Sequence, residues 1–343
     1  VKGIVVEKPG TIVIKDDIPK PKLSDYGVIT QTIACGICNG TDLKLIDGHF
    51  KGFSTYPAVL GHESVGRVVE VGRKVRAFKP GDHVLRTSLL KPSPYASGWG
   101  SFSEYNEAFD YHAMLADKVP EVNEYFIAQQ VLPPDIDPIK GNMVITFKEV
   151  ITGLTGFGVQ EGQSIMINGC GPVGLSMVRL ARTFKVRRII ASDIDPDRLQ
   201  KAGTLGADVL LNPRQDDIEA RVRGLEKEGL DLFIDAVGVN KLLNLGLKLI
   251  KFSGKVCVYG ISPASSSELD WEKAPYNWTV QFIQWPNVKT EATLHDKVVE
   301  YVRKGILDLD FFVTHTLPYQ DFRAGLDLVK GRKALKVALV ISK

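Results

Sequence analysis

The sequence predicts an α/β protein in two parts: a mostly β domain, and a domain whose doubly wound parallel sheet holds a dinucleotide. Three observations carry this expectation. The first third of the chain reads as short strands punctuated by Pro9-Gly10, Pro19, Pro21, Pro80-Gly81 and Pro92. From about residue 145, strands alternate with helices of roughly 10 to 15 residues, the pattern of right-handed crossovers between parallel strands. Between the first such strand and its helix lies Gly169-Cys170-Gly171-Pro172-Val173-Gly174, a G-x-G-x-x-G turn. A chain of 343 residues is long for one core and suits two domains.

In order, Val5, Ile12 to Ile14 and Gly27 to Ile33 alternate or run apolar at strand length. Ser64 to Gly72 reads as a strand with glycines at tight positions, and Phe78 to Val84 turns into the next. In the second part, Ser164 to Asn168, Arg188 to Ser192, Leu230 to Ala236 and Lys255 to Tyr259 read as strands. Pro172 to Phe184, Pro196 to Leu205 and Val239 to Ile250 read as the helices between them. The tail offers helices near 293–304 and 319–330, then a closing strand, Leu335 to Val340, that returns to the first domain. The expected division is 1–144 with 292–343 for the β domain, and 145–291 for the nucleotide domain.

Composition narrows the function classes. Hydrophobic residues are 44% and charged residues 24%, the balance of a globular soluble protein. Net charge is +3 with both signs interspersed, so no basic stripe argues for nucleic acid. No apolar run approaches the roughly 20 residues of a membrane helix. The opening Val1 to Glu7 meets a charge after three apolar residues, which predicts no secretory leader. The four cysteines, Cys35, Cys38, Cys170 and Cys257, are too sparse for a disulfide framework, and a reducing cytoplasm is expected.

The glycine turn has a mechanism. Gly169 makes the tight turn, Gly171 lets backbone approach a pyrophosphate, and Gly174 permits close packing of helix on strand. Pro172 and Val173 open the helix, whose N-terminal N–H groups favour an anion. Asp193, nineteen residues after Gly174, stands where a carboxylate accepts from the adenosine ribose hydroxyls. It would repel a 2'-phosphate, so NAD is favoured over NADP. Arg198 is placed to stack on adenine. The competing role for Asp193 is to cap the helix that begins at Pro196.

A metal is suggested by Cys38 in Cys35-Gly36-Ile37-Cys38 and by Gly61-His62-Glu63. A thiolate, an imidazole and a carboxylate from two distant segments suit tetrahedral zinc with an open position for substrate. Taken bare, free cysteines are usually buried hydrophobes and a lone Gly-His-Glu is usually structural.

The order of motifs resembles the zinc-dependent medium-chain dehydrogenases of alcohols, polyols and sugars. It runs from Gly36-Ile37-Cys38 and Thr41-Asp42 through Gly61-His62-Glu63 and Gly81-Asp82-His83-Val84 to the glycine turn. It continues through Phe102-Ser103-Glu104-Tyr105, Asp235-Ala236-Val237-Gly238, Gly254 to Gly260 and Leu335-Lys336-Val337, nearly the whole chain. The resemblance implies a GroES-like catalytic domain and a Rossmann domain. It implies Cys38 and His62 as zinc ligands, with Glu63 touching the metal directly or through water. Thr41 would pass the alcohol proton towards solvent, and Asp42 would orient His62. Val237 and Gly260 fall to the cofactor. One catalytic zinc, NAD and a homodimer or homotetramer follow, the last pairing near Ser253 to Tyr276 at the edge of the nucleotide sheet.

Four departures from the family matter. Two residues, Asn39 and Gly40, separate Cys38 from Thr41 where relatives usually have one, so the loop must bulge and Cys35 stays open as a ligand. For the remaining ligand the sequence offers Glu149, one residue out of register, which otherwise reads as a solvated glutamate near a helix start. Lys44 stands where relatives often carry the outer histidine of the proton relay, leaving His49 or water for that task. No cysteine lies between Arg86 and Tyr111, so no structural zinc is expected, and Leu90 to Gly100 reads as a plain loop in its place.

The implied activity is hydride transfer between a small alcohol, polyol or sugar and NAD. The alternatives are a zinc-free reductase of activated double bonds and a non-catalytic nucleotide-binding protein. Thr55 to Leu60, Trp99, Phe102, Asn277-Trp278 and Trp285 are candidates to line a substrate site, or equally core residues.

Overall fold

The computed structural model describes every residue except Pro263, Ser265 and Lys343. It divides into two compact units, Val1–Lys148 with Val288–Lys343, and Glu149–Asn287. The chain crosses between them four residues later, and returns four residues earlier, than the sequence pattern suggests. Lys343, at the end of the expected 292–343 range, lies outside the described residues.

The first unit is built on the strand Gly27–Ile37, whose residues are buried along most of its length. It pairs antiparallel with Glu63–Val71, with Tyr105–Phe109 and with the closing strand Lys336–Val340. The spatial order of that sheet is Val313–Pro318, Lys336–Val340, Gly27–Ile37, Glu63–Val71, His83–Leu85 and Val131–Leu132. A second sheet orders Thr11–Lys15, Gly3–Lys8, Ala58–Val59 and Ala96–Ser97. Apolar side chains of both sheets, among them Val6, Ala58, Val337 and Leu339, share one core with Leu45, Ile46, Leu60 and Phe102. The tail thus closes the unit that the first residues open.

In the second unit six strands run parallel. Their spatial order is Val209–Leu211, Arg188–Ser192, Ser164–Asn168, Leu230–Asp235, Ile250–Val258 and Trp278–Phe282. The order reverses between Ser164–Asn168 and Leu230–Asp235, the switch point at which such sheets bind ligands. Two short strands escaped the sequence reading, Val209–Leu211 and Trp278–Phe282. Both are edge strands, three and five residues long, and carry half-exposed side chains that blur the apolar signal. Trp278 packs against the core of this unit. Phe102 is likewise core, in the first unit.

One titratable group is built into the first unit. His295 opens the helix His295–Arg303 and sits buried, with Nε2 3.0 Å from the Val131 carbonyl. Burial, with the Lys148 ammonium nearby, pushes its imidazole down to about 4 from an ordinary 6.5. The folded state therefore holds His295 neutral while the unfolded chain protonates it. Its contribution to stability is complete above pH 6.5 and drains away as pH falls towards 4, by about 3 kcal/mol. Denaturant titrations at pH 7 and pH 4.5 should show a smaller acid loss for His295→Gln than for the wild type. Equal losses would refute this account.

Candidate metal centre and nucleotide site

The metal cluster arises where two neighbouring strands end. Gly27–Ile37 stops just before Cys38, Glu63–Val71 begins just after His62, and Gly36 stands opposite Glu63. The Cys38 sulfur, a His62 ring nitrogen and a Glu63 oxygen lie within 4.8 Å of one another. Among the described residues this is the group of three or more such side chains able to share an ion.

Asp42 ties the two segments together. It is fully buried; Oδ2 accepts from the Cys38 N–H at 2.8 Å, and Oδ1 lies 3.4 Å from His62 Nδ1. Neither of those facing atoms has another hydrogen-bond partner. With Nδ1 turned to the carboxylate, Nε2 is left for a metal. Burial works against the imidazolium, but Asp42 and Cys38 outweigh it and hold His62 protonated well above its usual range. The cluster asks for positive charge. A sulfur, a nitrogen and an oxygen so arranged fit zinc with one position open.

Glu63 has partners that sequence reasoning missed. Lys336 Nζ donates to both of its oxygens, at 2.7 Å to Oε1, and Thr146 donates to Oε1 at 3.0 Å. Burial raises the carboxyl's pKa, but Lys336, helped by His62 and Thr146, holds it below the ordinary carboxylate value. Gly36 is required opposite: a Cβ there would meet Glu63 Oε2 at 2.6 Å and Asn142 Oδ1 at 2.9 Å. The one available signal was a lysine inside the apolar run Leu335 to Val340.

The extra residue is absorbed in one closed turn. Asp42 N–H donates to the Cys38 carbonyl at 3.0 Å, and Lys44 Nζ to the Gly40 carbonyl at 3.2 Å. Lys44 thus braces the bulge; burial lowers its ammonium's pKa, with Cys38 opposing. Thr41 is buried at the N-terminus of the helix Asp42–Ile46, and its side chain makes no capping bond. His49 is exposed. Cys35 packs in the apolar core, where burial drives its thiol far up, and stands outside the cluster. Glu149 lies on the helix Met143–Phe157, whose Thr146 donates to Glu63. The stretch from Leu90 to Gly100 is more than a plain loop. Ala96–Ser97 pairs with Ala58–Val59, and the Trp99 ring lies 5.3 Å from that of His62.

In the second unit Gly171 is the N-cap of the helix Pro172–Thr183. A Cβ on Gly171 would meet only Arg198 Nη1, at 3.8 Å, so the space over the helix N-terminus is open to a pyrophosphate. A Cβ on Gly174 would lie 1.7 Å from the Gly169 carbonyl, and Gly169 itself has φ +94. Asp193 Oδ2 accepts from Cys170 N–H at 2.6 Å and Oδ1 from Asp195 N–H at 3.0 Å. The helix Pro196–Thr204 is capped by Asp195, not by Asp193. Val237 follows Leu230–Asp235, a strand at the switch point, and Gly260 follows its neighbour Ile250–Val258; a Cβ on Gly260 would lie 2.1 Å from Gly238 N. Open glycine space at a helix N-terminus beside a strand-end carboxylate fits a dinucleotide.

Comparison with known proteins agrees on the family. Residues 24–117 match the alcohol dehydrogenase GroES-like domain, and residues 172–293 match the zinc-binding dehydrogenase domain. The chain belongs to the zinc-dependent medium-chain dehydrogenases. Its first unit is the GroES-like domain, its second the nucleotide-binding domain, and it is an oxidoreductase. It is 27% identical to an L-threonine 3-dehydrogenase of Anaeromyxobacter sp. (strain K), over 95% of this chain and 94% of that one. An alcohol dehydrogenase from Thermus sp. ATN1 superposes with TM-score 0.83 at 25% identity, covering all of both chains. A 2R,3R-butanediol dehydrogenase from Bacillus subtilis does so with TM-score 0.81 at 22% identity over 99% of each, and shares the fold.

The cysteines give a direct chemical check. Burial pushes the thiols of Cys170 and Cys257 up to about 12, while Cys38 is partly exposed. In the native, chelator-treated dehydrogenase, maleimide should label Cys38 at least about tenfold faster than the other three, read by peptide mass spectrometry. Comparable labelling of Cys170 or Cys257 would contradict the packing described.

Proposed function

We propose that this protein is a zinc-dependent dehydrogenase that moves a hydride between a small alcohol, polyol or sugar and NAD. The observation that carries this reading is the Cys38, His62 and Glu63 donor set within 4.8 Å, anchored by Asp42. That set also argues against a zinc-free reductase. When bound, zinc supplies a Lewis acid for the substrate oxygen and NAD supplies the hydride acceptor.

The chain's own residues do the rest. Cys38 and His62 grip the metal, with Glu63 the third donor, its charge balanced by Lys336. Asp42 fixes the His62 tautomer. Thr41, its hydroxyl uncommitted to the helix cap, takes the alcohol's proton and passes it outward. The N–H groups of Gly171 and Val173, at the helix N-terminus that Pro172 opens, receive the pyrophosphate, and Asp193, freed of capping, turns its remaining lone pairs to the ribose. A 2'-phosphate there meets a carboxylate, which favours NAD. Arg198, beside Gly171, covers the adenosine side. Glu149, on the helix Met143–Phe157, is the remaining candidate ligand beside these three.

A metal-replete screen of C2 to C6 alcohols, polyols and sugars with both cofactors tests the reading. Activity is expected with NAD. Cys38→Ala and His62→Ala should each lower kcat at least about a hundredfold while NADH still binds. Full turnover by either variant would remove these ligands from the mechanism.

No helix among the described residues is long and apolar enough to cross a membrane. Four unpaired thiols favour a reducing cytoplasm. We place a homodimer contact on the open edge strand Trp278–Phe282, beside which Phe252, Tyr276 and Phe282 are exposed. Pro263 and Ser265, within the stretch from Ser253 to Tyr276, lie outside the described residues. Light scattering should report an even number of subunits, and Phe282→Lys should shift it towards monomer; a monomeric wild type would end this part of the reading.

A further inference from the structure

Trp99 occupies a position that nothing so far explains. It is a bulky residue at φ +67, in the left-handed region that side chains other than Gly, Asn and Asp avoid. The backbone on both sides is stitched to the segment that ends in His62. Ala96 N–H donates to the Pro57 carbonyl at 2.8 Å, Gly98 to Val59 at 2.8 Å, and Ser101 to Gly61 at 3.0 Å. The Trp99 carbonyl in turn accepts from Leu89 N–H at 2.8 Å. A Cβ on Gly98 would crowd Leu60 Cδ2 at 2.5 Å, and Gly100 carries φ +83. Strain held in place by this many fixed neighbours needs a return elsewhere in the molecule.

The return lies in where the ring is put. Its centroid is 5.3 Å from the His62 ring with the planes tilted by 52°, and 6.3 Å from Phe50, which meets it edge-on at 87°. Phe50 braces the indole against the imidazole of a metal ligand. The side chain packs against the edge of the core yet stays partly exposed, so filling the core accounts for only part of it. An indole face carries negative quadrupole charge and attracts C–H bonds polarised by neighbouring oxygens. A run of such C–H bonds is what a polyol or cyclic sugar offers and a two-carbon alcohol lacks.

We propose that Trp99 is a specificity-determining residue: the strained hook from Gly98 to Gly100 holds its indole beside His62 as the platform for the C–H face of a polyol or cyclic sugar. This rests on the dehydrogenase reading above and names its substrate class. The indole takes no part in proton or hydride movement. Its effect falls on the choice between substrates.

The test compares wild type, Trp99→Gly and Trp99→Phe as zinc-loaded enzymes. Gly accepts φ +67 without strain, which offsets part of the packing lost against Phe50, and a cooperative thermal transition with full zinc content identifies Trp99→Gly as folded and loaded. The quantity read is kcat/KM for a polyol panel (sorbitol, inositol, glucose) divided by kcat/KM for 2-propanol. The ratio should fall about tenfold or more in Trp99→Gly, mostly through KM, and recover largely in Trp99→Phe, which restores a π-face. A ratio within twofold of wild type in a folded, zinc-loaded Trp99→Gly overturns the proposal and leaves the dehydrogenase reading standing. A wild type that oxidises no alcohol, polyol or sugar sinks both.

Discussion

One buried carboxylate decides whether a metal centre can exist in this chain. Asp42 is fully buried, so both of its oxygens must find partners inside the protein. It finds them in two places that are distant in sequence: the Cys38 N–H and the His62 ring. Satisfying Asp42 therefore brings sulfur and imidazole together before any ion arrives. It also explains how the loop tolerates an extra residue. The turn from Cys38 to Asp42 is closed from both ends, backbone to backbone and backbone to side chain, and Lys44 locks the added Gly40 carbonyl.

A second buried charge binds the site to the end of the chain. Glu63 is neutralised by Lys336, 273 positions later, on a strand that pairs with Gly27–Ile37. A buried carboxylate with its partner removed is costly, by about 3 to 5 kcal/mol in comparable pairs. The metal centre is thus finished only once the closing strand is in place. The intervening 139 residues of the nucleotide unit are, for the first unit, one long excursion between two halves of a sheet. Such long-range closure is slow to form and, once formed, rigid.

Legibility in the sequence followed the range of the interaction. The alternation of strands and helices after residue 145 and the glycine turn are local patterns, as are the Pro- and Gly-punctuated strands of the first third, and the two parts were expected from them. Cys38, Asp42, His62 and Glu63 were visible because each stands in a short motif. What stayed hidden depended on pairing across the chain. Lys336 looked like one charge in an apolar strand, and Thr146 was overshadowed by the acidic Glu149 three residues on. The edge strands Val209–Leu211 and Trp278–Phe282 owe their state to neighbours rather than to periodicity. The hook at Trp99 was illegible for a similar reason: its shape comes from hydrogen bonds to residues 57 to 61.

A common device runs through both units. Asp42, Asp193 and Asp235 each stand near the end of a strand and use their oxygens to grip backbone N–H groups of the following or neighbouring turn. A carboxylate has about four acceptor positions, so two such bonds leave others for a second partner. The same group can then organise a loop and address a ligand. Replacing it removes both roles at once, so loss of activity at Asp42 or Asp193 would say little about chemistry. Residues whose backbone is fixed by others and whose side chain alone reaches the site separate the two roles. Trp99 is such a residue: the strand-like stitching sets its backbone, and the indole can be changed without undoing it.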